Sequence, residues 1–260
     1  MLECRGRRFI AALLFLICVP VLLIEPGQGL SMPDSGENDA ERVKAVEARA
    51  EKGEPSAQFR LGEMYEYGEG VPENAALAFQ WYSVSAEQGY AEAQYALGAC
   101  YELGEGTDKN EMLAFQWYGK AAEQGHAQAQ FEVGSRYYAG EGVRKDYAEA
   151  LKWFERASSK GVRRAAHRMA SLLATCPDGQ SRDGKRAVAI MVDLTWTDPD
   201  SPAYLDTLAE AHAETGRFDE AVYVMDRLIE DYCRCMTEAK RKEYERKRGS
   251  YRESKPWRKD

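Results

Sequence analysis

The feature that most constrains this chain is a set of residue types that recurs every 36 positions. Two of the recurring series are the glycines Gly53, Gly89, Gly125 and Gly161 and the tryptophans Trp81, Trp117 and Trp153. A fixed period between about 20 and 50 residues indicates an array of similar units, each too small to bury its apolar face alone. The sequence therefore predicts a stack of repeated units rather than one closed core.

Each unit is predicted to contain two helices, and the first helix carries an unusual glycine. Ala57, Leu61 and Tyr65 are spaced four residues apart, which places them on one helical face. Gly62 lies on a neighbouring face, although glycine in mid-helix costs about 0.5–1 kcal/mol relative to alanine. Because it returns in the next two units, we expect its missing side chain to let a partner helix approach closely.

A glycine pair separates the two helices of each unit. Gly68 and Gly70 suit the end of a helix because glycine adopts the left-handed conformation without strain. The second helix then begins near a residue whose side-chain oxygen caps helix N-termini, namely Asn74, Asn110 or Asp146. The predicted buried face of this helix combines alanine with tryptophan, and we expect these tryptophans to be core residues.

The combined pattern resembles a known repeat family. It reads A-x-x-x-L-G-x-x-Y-x-x-G-x-G, then N/D-x-x-x-A-x-x-W-Y/F, then A-A-E-Q-G, and it is similar to the Sel1-like repeat (SLR), a relative of the tetratricopeptide repeat (TPR). Three full copies span Gly53 to Lys160, and Ala40–Lys52 resembles the second helix of a preceding partial unit. The resemblance implies an all-α, right-handed superhelical solenoid of antiparallel helical hairpins that serves as a scaffold for protein assemblies. Some cysteine-rich members bind peptidoglycan fragments, but this chain lacks their cysteine pair in each repeat.

The C-terminal half departs from the pattern. A degenerate fourth unit is predicted from helices at Arg163–Thr175 and Arg186–Thr195, and a TPR-like hairpin from helices at Tyr204–Glu214 and Phe218–Tyr232. We therefore divide the chain into an SLR array at 40–196, a TPR-like hairpin at 197–236 and a basic segment at 237–260. The basic segment is expected to form a capping helix to about Arg248 and then a frayed tail. A contact of this segment with anionic lipid or an acidic partner is the alternative.

The N-terminus is predicted to direct export. Arg5, Arg7 and Arg8 precede an apolar run from Phe9 to Ile24, and small residues follow it. This is the layout of a secretory signal, so residues 1–29 are assigned to a signal peptide and residues 30–39 to a linker. An uncleaved signal anchor, which would be the chain's contact with a membrane, is the alternative. Both interpretations place the protein in the secreted or periplasmic envelope compartment.

Composition excludes some classes of function. A net charge of −8 argues against a nucleic-acid-binding surface, which needs clustered lysine and arginine. The histidines show no close pairing with cysteines that would predict a metal site, and no cofactor motif is present. Loss of the signal leaves Cys100, Cys176, Cys233 and Cys235, and whether any of them form disulfides stays open.

One stripe of side chains is the candidate binding site. In hairpin solenoids the first helices line the concave face, where ligands bind. The side chains that share this register are aromatic or acidic, namely Phe59, Glu63, Glu66, Tyr95, Glu102, Phe131 and Tyr138. The stripe predicts binding of a basic segment of a partner protein, although its aromatic members are equally typical of packing between hairpins. The predicted function is a non-catalytic protein-interaction scaffold; binding of cell-wall glycan or peptide fragments is the alternative, and hydrolysis a distant third.

Overall fold

The computed structural model describes residues 35–232 and 236–258, so the predicted signal sequence at 1–29 lies outside the described residues. Within those ranges the chain forms twelve α-helices, a short 3-10 turn at Gly179–Ser181 and no strand. The helices are α1 (Ser35–Glu51), α2 (Pro55–Tyr67), α3 (Ala75–Glu87), α4 (Ala91–Leu103), α5 (Glu111–Glu123), α6 (Ala127–Ala139), α7 (Tyr147–Ser159), α8 (Arg163–Thr175), α9 (Gly184–Thr197), α10 (Pro202–Glu214), α11 (Phe218–Tyr232) and α12 (Glu238–Arg252). No helix in this part of the chain has the length and apolar character needed to cross a membrane.

The helices pair into hairpins that stack in chain order. Helices α2 and α3, α4 and α5, α6 and α7, α8 and α9, and α10 and α11 form successive hairpins, and the second helix of each also contacts the first helix of the next. The predicted all-α solenoid is therefore confirmed. Asn74 and Asn110 cap α3 and α5 by accepting the backbone N–H of the residue three positions on, as the sequence predicts.

The mid-helix glycines make room for a buried ring. A Cβ on Gly62 would lie 2.5 Å from the ring of Tyr82, and a Cβ on Gly98 would lie 2.7 Å from the ring of Tyr118. The third unit repeats the arrangement, because a Cβ on Gly134 would lie 2.7 Å from the ring of Phe154. These distances are far below van der Waals contact, so the expectation that the glycine admits the partner helix is confirmed.

The centre of each hairpin core is one residue away from the predicted position. Tyr82, Tyr118 and Phe154, which follow the tryptophans, are at most 2% exposed. The tryptophans are only half-buried, and Trp117 packs at the edge of a cluster that joins Ala78 of the preceding unit to Leu97 of its own hairpin. The prediction that the tryptophans are core residues is therefore wrong in part. On a helix, adjacent positions point about 100° apart, and only one of the two can face the glycine of its own hairpin.

The second glycine of each pair packs closely against the preceding unit. Gly106 has φ +70°, and a Cβ there would lie 2.2 Å from the carbonyl oxygen of Ala75 at the start of α3. Gly70 receives α1 in the same way, with Val43 and the backbone of Asp39 against it. Helix α1 thus supplies the second helix of a partial unit. Helix α1 begins at Ser35, inside the segment 30–39 that the sequence analysis assigns to a linker.

Glutamine side chains join each unit to the one before it. Gln58 donates to the carbonyl of Ala50 across the unit boundary at 3.1 Å, and Gln94 and Gln130 make the equivalent bonds. Within the second unit, Gln124 then donates to Gln94 Oε1 at 2.7 Å, so the Gln94 side chain is bonded through both its amide nitrogen and its oxygen. In the third unit Lys160 stands at the position of Gln124. Gln130 Oε1 therefore has no hydrogen-bond partner among the residues that the structure describes.

The basic C-terminal segment is docked rather than solvated. Helix α12 shares a core with helices α8 to α11. Lys247 is fully buried, and its Nζ donates to Asp206 at 2.6 Å and to Glu210 at 2.7 Å. The segment that follows is also held, because Arg258 pairs with Glu214 at 2.6 Å. The tail expected to be frayed is thus anchored as far as the structure describes it.

Candidate functional site

The aromatic members of the stripe lie along the first helices, on the surface of α2, α4, α6 and α8 that is called the groove below. Phe59, Tyr95 and Phe131 occupy the same position on α2, α4 and α6. Each packs on the buried ring of its own hairpin: the centroids of Tyr95 and Tyr118 are 5.4 Å apart, and the corresponding distances in the first and third units are 5.5 and 5.8 Å. These rings therefore contribute to packing, as the second interpretation of the sequence allowed.

The same rings also contact the following unit. Tyr95 stacks on His126, the N-cap residue of α6, with centroids 4.6 Å apart and planes 20° apart. Phe131 lies beneath Arg164 of α8, whose guanidinium is 4.8 Å from the ring centroid, and only 7% of the residue is exposed. Phe59 and Tyr95 are half-buried and present part of their surface to the groove, whereas Phe131 offers little of its own.

Two carboxylates of the stripe are held by tyrosine hydroxyls. Tyr82 donates to Glu66, and Tyr118 donates to Glu102 at 2.7 Å. Burial and the neighbouring carboxylate raise the pKa of both tyrosines, so the hydroxyls stay protonated as donors. The third unit has Tyr138 in the place of the glutamate and a phenylalanine in the place of the tyrosine, so donor and acceptor disappear together.

A buried arginine, which the sequence analysis missed, completes this cluster. Arg136 on α6 is 2% exposed, and its guanidinium pairs with Glu102 at 2.9 Å and lies 5.3 Å from the ring of Tyr118. It replaces Met64 and Cys100 of the earlier units. The sequence signal that could have identified this ion pair is a charged residue at a repeat position that is apolar in the other two units. A buried arginine at such a position requires a partner.

The remaining members of the stripe differ in accessibility. Glu63 is half-buried and pairs with Arg60 at 3.1 Å, while Tyr138 is 41% exposed. The last turns of α2 and α4 add Tyr67 and Leu103, which are 65% and 64% exposed. These two lie eight residues after Phe59 and Tyr95, a little over two helical turns further on and about 80° around the helix, and the sequence analysis did not include them.

A further carboxylate lies in the groove between the units. Glu132 on α6 is half-buried, and burial, together with the nearby Glu102, raises its pKa, while the positive charge of Arg164 acts in the opposite direction. No ion pair of Glu132 is found within the described ranges. The surface along the first helices therefore combines ring edges, carboxylates and arginines.

Cys100 lies on α4, one of the helices that carry the stripe. Burial raises the pKa of the Cys100 thiol to about 12, which keeps it in the unreactive protonated form. In the described part of the chain, no group of three or more histidine, cysteine, aspartate or glutamate side chains is placed to hold a metal ion. Surface clefts of about 590 and 340 Å³ lie elsewhere, at the outer surface of α12 and between α5, α6 and α7.

Comparison with known proteins agrees with this geometry. The Sel1 repeat family matches residues 55–90, 91–126 and 127–162, which are the three hairpins α2–α3, α4–α5 and α6–α7 with their connecting loops. A comparison with curated proteins finds no match.

Solved structures show the same architecture. A Sel1 repeat protein from Oxalobacter formigenes is 32% identical, with a TM-score of 0.60 over 76% of this chain and 84% of that one. The SLR-fold protein c5321, a protective antigen present in uropathogenic Escherichia coli strains, is 25% identical with a TM-score of 0.64, over 82% of this chain and about half (49%) of the longer protein. The TPR protein YrrB, 18% identical with a TM-score of 0.57 over 76% and 95% of the two chains, shares the fold. The chain belongs to the Sel1 repeat family, whose helical-repeat fold is typical of protein–protein interaction scaffolds.

Proposed function

We propose that this protein is a non-catalytic scaffold of the exported or envelope compartment that holds a segment of a partner protein in the groove along α2, α4, α6 and α8. The observation that supports this most directly is the row of accessible aromatic and apolar side chains on successive first helices, including Tyr67, Leu103 and Tyr138. Aromatic residues are enriched at protein interfaces and carry much of their binding energy. Nothing in the groove supplies a nucleophile with a base beside it, so binding is the activity that its chemistry favours.

The groove suits an extended or helical segment rather than a small molecule. Small-molecule sites are concave and enclose most of the ligand, whereas this surface continues from unit to unit. Phe59 and Tyr95 supply ring edges at equivalent positions, one unit apart. A partner segment lying across the first helices would meet the same kinds of groups at each step.

Affinity capture from an envelope fraction tests the proposal. The informative variant is Tyr67→Ser with Leu103→Ser, because both side chains are exposed and their replacement leaves the hairpin cores intact. Glu66 and Glu102 are poorer targets, since each accepts a hydrogen bond from a core tyrosine and its loss would disturb packing. The control is Trp196→Ser on α9, where the side chain is 87% exposed and lies outside the groove.

We expect the groove variant to lose capture of its partners while the control retains it, with the melting temperature of both close to that of the parent protein. Equal capture by the two variants would show that the partner binds elsewhere. The export part of the proposal has its own measurement, which is N-terminal sequencing of the mature protein. A chain that begins near Leu30 or Met32 supports a cleaved signal, and a chain that starts at Met1 in the soluble cytoplasmic fraction would overturn export.

A further inference from the structure

The charge of the first helices changes sign along the groove, and we infer that the partner segment does the same, with basic residues over α2 and α4 and acidic residues over α8. This inference rests on the proposed function and adds the chemistry and direction of the bound segment. Complementary charge on two surfaces guides encounter and fixes register more than it adds affinity.

The cationic end of the groove is helix α8. Its sequence contains Arg163, Arg164 and Arg168 and no carboxylate. Arg164 and Arg168 are exposed and one helical turn apart, and none of the ion pairs between the described residues involves either of them. Arg164 covers the ring of Phe131, so its charge is held at the surface of the groove.

The carboxylates of the next first helix do not neutralise these arginines. Helix α10 carries Asp206 and Glu210, and both accept hydrogen bonds from Lys247 of α12. Its third carboxylate, Glu214, pairs with Arg182 and Arg258. Glu132 of α6 lies near Arg164 without forming an ion pair with it, so the charge of Arg164 is only partly offset, and that of Arg168 stays available to a ligand.

The position of the arginines on the helix is unfavourable for the free protein. Arg163 and Arg164 lie in the first turn of α8, where the helix dipole disfavours positive charge. The first turns of α2, α4 and α6 contain no lysine or arginine. Arg163 donates to Thr197 and Arg164 packs on Phe131, and an anionic partner over α8 would further offset the unfavourable interaction with the helix dipole.

The anionic end of the groove is formed by α2 and α4. Together they carry the carboxylates Glu63, Glu66, Glu92 and Glu102. Arg60 of α2 pairs with Glu63 and Arg136 of α6 pairs with Glu102, which leaves Glu66 and Glu92 outside the ion pairs of the described residues. Glu92 is exposed, and it occupies on α4 the position that Arg164 occupies on α8, two units further along. The two opposite charges therefore mark equivalent points of the groove.

The spacing of the helices gives the length of the segment between the two charges. Side chains of successive first helices touch, as Glu102 of α4 does Arg136 of α6 and Phe131 of α6 does Arg164 of α8. Helices in such contact have axes about 10 Å apart, so two steps from α4 to α8 cover roughly 20 Å. An extended chain that advances about 3.3 Å per residue crosses this distance in about six residues.

Synthetic peptides test the inference directly. The probe is a fluorescent peptide with a lysine block, a neutral tyrosine-containing spacer of about six residues and a glutamate block. A peptide of the same composition with alternating charges is its comparison, and fluorescence anisotropy at low and high salt is the measurement. We expect the parent protein to bind the block peptide more tightly, with a preference that shrinks as salt screens the charges.

Charge reversal of α8 is the decisive variant. Arg164→Glu with Arg168→Glu should weaken binding of the block peptide about tenfold, since it replaces two attractions by repulsions. Arg144→Glu with Lys185→Glu is the matched control, because both residues are exposed, lie outside the groove and change the net charge by the same amount. The control should bind the block peptide as the parent protein does.

Equal binding of the two peptides, no binding of the block peptide, or equal effects of the two charge-reversed variants would overturn the inference. Capture from the envelope fraction separates this failure from failure of the proposed function. If Tyr67→Ser with Leu103→Ser abolishes capture but Arg164→Glu with Arg168→Glu does not, the groove binds the partner and its charge polarity is irrelevant. If the first pair leaves capture unchanged, the proposed function itself is wrong.

Discussion

Replacing Gly98 by alanine should destabilise the protein, although alanine is the better helix former. The substitution removes a mid-helix glycine, which by itself is worth about 0.5–1 kcal/mol of added stability. The new Cβ, however, would lie 2.7 Å from the ring of Tyr118, which is 2% exposed. The ring cannot move aside freely because its hydroxyl donates to Glu102 at 2.7 Å. Overpacking of a buried site costs about 1–3 kcal/mol, so we expect a net loss of about 1–2 kcal/mol.

Gly119→Ala is the matched control for this experiment. Gly119 lies inside α5, and a Cβ there would meet no atom within 4 Å. The control should therefore gain about 0.5–1 kcal/mol from helix propensity alone. Urea unfolding followed by circular dichroism measures both variants against the parent protein.

A double-mutant cycle identifies the cause of the loss. In a Tyr118→Ala background the ring is absent, so Gly98→Ala should become neutral or stabilising. The reasoning is refuted if Gly98→Ala is as stable as Gly119→Ala, or if its cost persists after the ring has been removed.

Three further perturbations probe other contacts. Tyr118→Ala should cost about 3–5 kcal/mol and Trp117→Ala clearly less, because only the tyrosine is fully buried; equal shifts in urea midpoint would contradict this assignment. Lys247→Met should cost about 3–5 kcal/mol, because it removes the buried cation to which Asp206 and the buried Glu210 are bonded, and a melting temperature near that of the parent would argue against the docked α12. Burial lowers the pKa of His126 below its usual 6.5, so the unfolded chain takes up a proton first and stability falls as pH drops below about 6.5. His126→Asn keeps a capping acceptor and should make the urea midpoint less sensitive between neutral and mildly acidic pH; an unchanged pH dependence would mean that this histidine does not contribute.

Periodicity was sufficient to predict the hairpins because each unit repeats the same local signals. The prediction of a first helix at Arg163–Thr175 and of a second at Phe218–Tyr232 coincides with the bounds of α8 and α11. The spacing of four residues fixes which positions share a helical face, and the glycine turns fix where the helix ends.

Contacts between units were the part that the sequence could not supply. The assignment of the core to Trp117 rather than Tyr118 required knowledge of where the opposing glycine lies, since both residues are apolar enough to be buried. The stripe was similarly defined by register alone, which places Phe131 and Glu102 in the groove. Register does not show that Arg164 covers Phe131 or that Arg136 pairs with Glu102. Such partners are distant in sequence, and the periodicity carries no information about them.

The interruption of the glutamine bonds between units gives the rod a preferred breaking point. If tension is applied at the two ends, hairpins joined by identical contacts are equally able to separate first, whereas a weaker contact separates before the others. Gln94 is secured from both sides, by its bond to the carbonyl of Ala86 and by Gln124. The fourth hairpin lacks the bond to its predecessor altogether, because Ala166 stands on α8 at the position of Gln58, Gln94 and Gln130. Pulled in an optical trap, the protein should therefore rupture between its third and fourth hairpins, and Ala166→Gln should raise the force at which it does so.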